Sequence, residues 1–300
     1  MRVLLAGASG AIGGPLTRAL LAAGHEVTAL TRRPGGAPEG TAELVGDALD
    51  RGGLLAAASG TEVDAVVHEL TALKKSPMRH KHMAATNRLR TEGTANLLAA
   101  AKVMGAKRFL TQSMIFGYGY GDLGRRARTE EDVFGEGGYG GFDPHIVAME
   151  RNEHQVFNTE GVDGISLRYA LFYGAEGDPN MALVIRGKLP VPKGGIMSFV
   201  HVEDAAAATV AALERGRGGE AYNIADDEPV SWRDYFDAMA AHLGAPRPKS
   251  VPAWVLRPMP LMHGILTGTY RISNAKAKAE LGWAPAYPTY REGIAALRHP

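Results

Sequence analysis

Residues 3–13, VLLAGASGAIG, decide how this chain is to be read. Val3, Leu4 and Leu5 form a short apolar run, as expected of a central parallel strand covered on both faces. Gly7, Gly10 and Gly13 follow. Without a Cβ, glycine permits a tight turn and lets an anion sit against main-chain N–H groups. A helix beginning near Ile12 then aims its positive end at that anion. Gly7, Ser9, Gly10, Ala11, Ile12 and Gly13 are therefore the expected cradle of a nucleotide pyrophosphate. A chain with 38 glycines produces such triplets by chance, so the context carries the reading. The triplet lies between an N-terminal apolar strand and a helix patterned by Leu16, Leu20 and Leu21, and a second strand follows at 26–30. That is the βαβ unit of a dinucleotide fold.

Composition narrows the remaining classes. With 300 residues, 45% hydrophobic and 22% charged, the chain has enough material for one large domain or two smaller ones sharing a core. A net charge of +1 gives no reason to expect nucleic acid or an anionic membrane as a partner. Cysteine is absent, which excludes disulfides, thiolate metal sites and a cysteine nucleophile together. No apolar segment approaches the roughly 18 residues needed to span a bilayer. A cytoplasmic protein is expected.

Farther along, a dinucleotide fold usually ends its second strand with an acidic residue for the adenosine ribose. This chain has Thr31, Arg32 and Arg33 there. Guanidinium groups bind a 2′-phosphate through charge-assisted hydrogen bonds, so the expected cofactor is NADP(H); the other reading is a solvated loop ahead of Pro34. A third strand at 42–45 leads to Asp47 and Ala48, placed to reach the adenine edge. A helix at 54–58 and a strand at 65–68 complete another unit, and the apolar run stops at His68, Glu69, Leu70 and Thr71. Leu70 and Thr71 thus stand at the carboxyl end of a parallel strand, where ligands of such sheets bind. Residues 74–82, KKSPMRHKH, are the most basic window. His80 and His82 have cationic neighbours and no carboxylate, which argues against a metal. The window reads either as a solvated loop or as a rim attracting an anionic substrate. A patterned helix is expected over 87–102 and a strand over 108–112.

Several stretches together resemble the extended short-chain dehydrogenase/reductase family, also called the NAD-dependent epimerase/dehydratase family. They are GASGAIG, Glu92-Gly93-Thr94 on the helix, FLTQSMIFG at 109–117, LRYALFYG at 167–174, SFVHVEDAAAA at 198–208 and ISNAKAKAELGWAP at 272–285. The resemblance implies an α/β fold, a Rossmann-type doubly wound parallel sheet with a smaller, mostly C-terminal substrate-binding part. Residues 1–170 and 198–224 would hold the cofactor, and 171–197 with 225–300 the substrate. It also implies that Thr111, Gln112, Tyr169 and Leu171 lie beside the nicotinamide, with Met114, Phe116, Tyr118, Met149 and Phe172 toward the substrate. His201 and Asp204 would form a structural pair.

One departure stands out. The family's proton chemistry uses a Tyr-x-x-x-Lys pair on the helix after the fifth strand and a Ser or Thr at that strand's end. Here the match puts His145 at the tyrosine position, Met149 at the lysine position and Gln112 at the serine position, with Ser113 the preferred carbonyl-polarising hydroxyl. Tyr139, Tyr118 and Tyr120 lack a lysine at the required spacing. Ser113 and His145 are the candidate catalytic residues, His145 being equally a helix-start residue with no chemical role. Hydride transfer does not itself need the tyrosine, and a ketone beside a phenol carries its own donor. The expected function is an NADPH-dependent ketoreductase of a small aromatic polyketide ketone, an antibiotic-tailoring step resembling the atypical reductases of angucyclinone pathways. An Ala/Gly/Arg-rich composition suits a high-GC bacterium that makes such compounds. The alternatives are a nucleotide-sugar epimerase or dehydratase, and a non-catalytic NADP(H) sensor.

Overall fold

The computed structural model describes residues 1–73, 76–175, 179–187 and 190–297, and Lys74 and Lys75 of the basic window lie outside them. Seven strands make the main sheet: β1 Arg2–Ala6, β2 Glu26–Thr31, β3 Ala42–Val45, β4 Ala65–His68, β5 Arg108–Met114, β6 Asp163–Tyr169 and β7 Glu220–Ile224. Their order is β7-β6-β5-β4-β1-β2-β3, and every neighbouring pair is parallel. The order reverses between β1 and β4, and the crevice at the carboxyl ends of those two strands is where such sheets bind ligands.

Alternation along β1 shows why both faces are covered. Val3 and Leu5 join one apolar cluster, with Leu16 and Leu20 of helix α1 (Gly13–Ala22). Leu4 and Ala6 join the other, with Leu54 of helix α2 (Arg51–Ala58) and Leu97 of a helix over Thr94–Val103. A strand apolar on both sides is stable only between two helical layers. The doubly wound sheet expected from sequence is therefore present.

The helix expected over 87–102 begins earlier and is not uniform. It comprises α3 (Ala84–Arg88), a π-helical segment Leu89–Gly93, and α4 (Thr94–Val103). Asp143 and Pro144 open α5 (Asp143–Phe157), where proline's missing N–H costs nothing. The chain after β6 makes short strands, of which Phe199–His201 pairs with Leu171–Tyr173 outside the main sheet. Helix α6 (Val202–Arg215) then returns to pack on α1. Helix Trp232–His242 starts at Ser231, whose side chain accepts from the Asp234 N–H, and buries Trp232, Phe236 and Met239 as its spacing predicts. Trp283 anchors the tail by donating from Nε1 to the Asp204 carbonyl at 3.2 Å. One expectation changes. His201 and Asp204 do not pair with each other: His201 caps α6 and Asp204 accepts the Ala286 and Tyr287 N–H groups. No helix among the described residues is long and apolar enough to cross a membrane.

Candidate active site

The glycine loop after β1 closes on itself, Gly10 N–H donating to the Gly7 carbonyl at 2.8 Å and Gly13 N–H to the Gly10 carbonyl at 3.0 Å. Gly7 has φ +115°, and a Cβ on it would stand 2.8 Å from the backbone of Glu69, which leaves β4. A Cβ on Gly13 would fall 2.2 Å from the Ala8 carbonyl, so this glycine lets α1 start hard against the loop. Ile12 at the start of α1 offers no side-chain cap. The first N–H groups of the helix are thus left for an external acceptor, beside exposed Ser9, Gly10 and Ala11. Loop, open helix end and switch point together fit a dinucleotide phosphate.

At the end of β2 the arrangement is more specific than the sequence suggests. Glu43 on β3 accepts the N–H groups of Gly35, Gly36 and Ala37 at 2.9–3.1 Å and the Thr31 hydroxyl at 2.8 Å. Those donors hold its carboxyl below the usual carboxylate range and fold the loop carrying the two arginines. Arg32 and Arg33 are exposed, and neither has an ion pair among the described residues. The acid of this corner is spent on main-chain N–H groups while the cations remain free. Asp47 is exposed and accepts the Leu49 N–H at 2.9 Å, and Ala48 is buried with its carbonyl accepting from Asn96. Leu70 is half-buried and Thr71 exposed at the crevice edge.

Across the crevice, the residues expected to act on the substrate divide sharply. Asn152 of α5 accepts the Thr111 hydroxyl at 2.9 Å and donates to the Gln112 carbonyl at 2.8 Å, fastening α5 to β5. Thr111 therefore serves packing. Ser113 corrects its expected role: it is fully buried, and its hydroxyl has no hydrogen-bond partner. Gln112 points to the opposite face of β5, as strand alternation requires, and its side-chain amide is uncommitted among the described residues. Tyr118, expected toward the substrate, donates instead to Asn223 at 2.8 Å and accepts from Arg168 at 2.9 Å. Arg168 in turn pairs with Glu153 at 2.7 Å, and Ser166 donates to the same carboxylate. Tyr118 thus belongs to a buried network joining α5, β6 and β7. Tyr169 is likewise turned inward, donating to Glu69 at 3.1 Å and contacting Thr209 at 2.6 Å. Burial pushes the Glu69 carboxyl up to about 8. Met114, Leu171 and Phe172 remain partly open, and Phe116 is buried in a stack with Tyr120 and Phe142. Met149 is buried core, 1% exposed.

His145 does occupy the inner face of α5, but not alone. Asn87 donates from one amide nitrogen to both the Pro144 carbonyl, at 3.2 Å, and His145 Nδ1, at 3.0 Å. Because a carbonyl can only accept, the amide nitrogen must be the atom there, and Nδ1 must be the acceptor. Nε2 therefore carries the proton and donates to His80 Nδ1 at 3.0 Å. Burial, then neighbouring His80 and the positive charge of Arg90, bring His145 down to about 4, so it is neutral at pH 7. A neutral imidazole is a hydrogen-bond donor and a poor acid.

Sequence reasoning missed three partners here. The sequence shows His80 only as part of a basic loop, and Asn87 and Arg90 only as residues of a helix. All three reach α5 only because α3 packs on it, a contact 55 or more residues distant along the chain that no local spacing encodes. Among the described residues no cluster suits a metal ion.

Comparison with known proteins agrees with this geometry. A family model described as "NAD dependent epimerase/dehydratase family" matches residues 3–225. A 3-diazoavenalumate denitrifying reductase from a Streptomyces species is 40% identical over 98% of this chain and 99% of that protein. A 2-alkyl-3-oxoalkanoate reductase from Stenotrophomonas maltophilia is 28% identical over 82% of this chain and 77% of that protein. Among solved structures, MoeE5 in complex with UDP-glucuronic acid and NAD aligns with TM-score 0.78 at 25% identity, over 99% of this chain and 97% of the other. The human epimerase family protein SDR39U1 with NADPH aligns at 0.81 and 20% identity over 99% of each chain, which shows the fold. With the nucleotide cradle, the doubly wound sheet and these matches in agreement, the chain belongs to the NAD dependent epimerase/dehydratase family and is an oxidoreductase.

Proposed function

We propose that this protein is an NADPH-dependent ketoreductase acting on an aromatic ketone that carries its own hydroxyl beside the carbonyl. The observation that carries the reading is the pairing of an intact cradle, with free Arg32 and Arg33, against a site whose acid position holds a neutral, doubly hydrogen-bonded His145. NADPH bound in the cradle supplies the hydride. The chain's part is to hold the ketone against the crevice, to exclude water with Phe116, Tyr120 and Phe142, and to offer donors without surrendering a proton. The alkoxide left by hydride addition takes its proton from the adjacent substrate hydroxyl, and water restores that hydroxyl. Epimerase and dehydratase chemistry needs the tyrosine base that this chain lacks.

A second reading is favoured by the 40% identical reductase, whose name describes loss of nitrogen from a diazo compound. Hydride delivered to a diazo group with release of N2 leaves no alkoxide, and so it too dispenses with a protein acid. One experiment separates the readings: NADPH oxidation is followed with a peri-hydroxy aromatic ketone and with an aryl diazo acid, in wild type and in Ser113→Ala/His145→Ala. Ketone turnover that survives the double substitution within a few-fold supports the ketoreductase. Collapse of turnover in the double variant means that the side chains carry the proton. N2 release with no ketone reduction selects the second reading. Tight NADPH binding with neither substrate consumed favours a sensor.

A further inference from the structure

Among the described residues two arginines are almost wholly buried, and they are treated differently. Arg168 is 6% exposed, pairs with Glu153 through two nitrogens at 2.7 and 3.0 Å, and lies over the Phe134 ring at 3.7 Å. Arg90 is 5% exposed, yet no carboxylate, carbonyl or hydroxyl among the described residues bonds to it. Its nitrogens are absent from the sealed, unpaired polar atoms of the fold, so they keep contact with solvent. A guanidinium cannot shed its charge, and a buried, uncompensated cation is costly.

The local backbone puts it there. Arg90 lies in the π-helical segment Leu89–Gly93, and such bulges concentrate at functional sites because the extra residue re-aims a side chain. His68 at the end of β4 supports the bulge: it accepts the Leu70 N–H at 3.2 Å and donates to the Leu89 carbonyl. The same segment packs against α5. The groups in electrostatic reach of Arg90 are His68, His145 and Tyr120, none of them an anion at neutral pH. Tyr120 is the middle ring of a stack, 5.4 Å from Phe116 and 4.1 Å from Phe142.

We propose that Arg90 is the anion-binding residue of the substrate site, taking the phenolate or carboxylate oxygen of an aromatic substrate whose rings lie against the Phe116, Tyr120 and Phe142 stack. This deepens the reductase reading by naming the charge its substrate carries, and it gives the unpaired guanidinium the counter-ion that the fold withholds. Phenolate and carboxylate share the chemistry, a delocalised oxygen anion matched to the guanidinium fork.

The test needs binding alone, so its failure is distinguishable from failure of the hydride chemistry. 2-Naphthoate and its neutral analogue 2-naphthamide are titrated into wild type, Arg90→Lys and Arg90→Gln, each with and without NADP+. 4-Nitrophenol provides the phenolate arm, its visible absorbance reporting ionisation. In wild type one of the two anions binds at least about tenfold tighter than its neutral form, Arg90→Lys keeps part of that preference and Arg90→Gln loses it. The arm that responds identifies the anion. Thermal melting is the control on folding: without ligand, Arg90→Gln melts no lower than wild type, because an unpaired charge has been removed. The proposal is overturned if neither anion is preferred in wild type, if the preference survives Arg90→Gln, or if that variant melts well below wild type. It is also overturned if Arg90→Gln weakens NADP+ and leaves the aromatic anions untouched, which would assign the guanidinium to the cofactor.

Discussion

Replacing Arg32 and Arg33 by serine tests the cofactor assignment most directly. Both guanidinium groups are exposed and without ion pairs among the described residues, on a loop whose fold comes from Glu43 and the N–H groups of Gly35, Gly36 and Ala37. The substitution therefore removes charge and leaves the scaffold in place. A hydrogen bond to a charged group contributes about 1.5 to 3 kcal/mol, and the lower end applies where water screens the pair. About 1.5 kcal/mol is roughly a tenfold change in Kd, so each serine should weaken NADPH about tenfold and the pair about a hundredfold. NADH lacks the 2′-phosphate and should change by less than about twofold on the same arithmetic. Quenching of tryptophan fluorescence on titration with each nucleotide measures both constants. Repeating it at higher salt should shrink the NADPH advantage of wild type and leave the double variant indifferent, since exposed charges are screened. Equal weakening of NADPH and NADH, or no change in either, would refute the reasoning and leave the arginines as solvated loop residues.

Two further outcomes follow from buried charge. Arg168→Met leaves the buried Glu153 carboxylate with the Ser166 hydroxyl but no cation and should cost about 3 to 5 kcal/mol in urea denaturation, most of it recovered in Arg168→Met/Glu153→Leu; a small loss in the single variant would mean that the pair is hydrated. His68 is buried, and desolvation holds it down to about 4. The unfolded chain takes up a proton below about pH 6.5 that the folded His68 refuses, so this residue's contribution to stability is lost as pH falls from about 6.5 toward about 4, by about 3 kcal/mol at most. His68→Gln should flatten that part of a urea-midpoint series, and an unchanged slope would assign it to other groups.

How far the sequence reached depends on the range of the interaction concerned. β1, the glycine turn and the start of α1 were legible because each signal lies within a dozen residues: an apolar run, glycines where a Cβ would collide, and helical spacing behind them. The placing of His145 and Met149 four residues apart on one helix was legible for the same reason. Residue type alone could not say what the substitutes do. The family resemblance places Tyr118 toward the substrate, but its hydroxyl is claimed by Asn223 and Arg168, 105 and 50 residues away. Ser113 looked like a reactive hydroxyl and is sealed inside the sheet.

The sequence by itself therefore determined the glycine turn after β1 and the α/β layering, because those follow from local backbone sterics and from the period of apolar residues. Tertiary structure alone decided the charge state of the site. Only packing brings His80 and Asn87 onto His145 and so sets which nitrogen holds the proton. Only packing gives Arg168 its carboxylate and leaves Arg90 without one among the described residues, because burial and counter-ions are properties of neighbours in space, which no stretch of chain carries within itself.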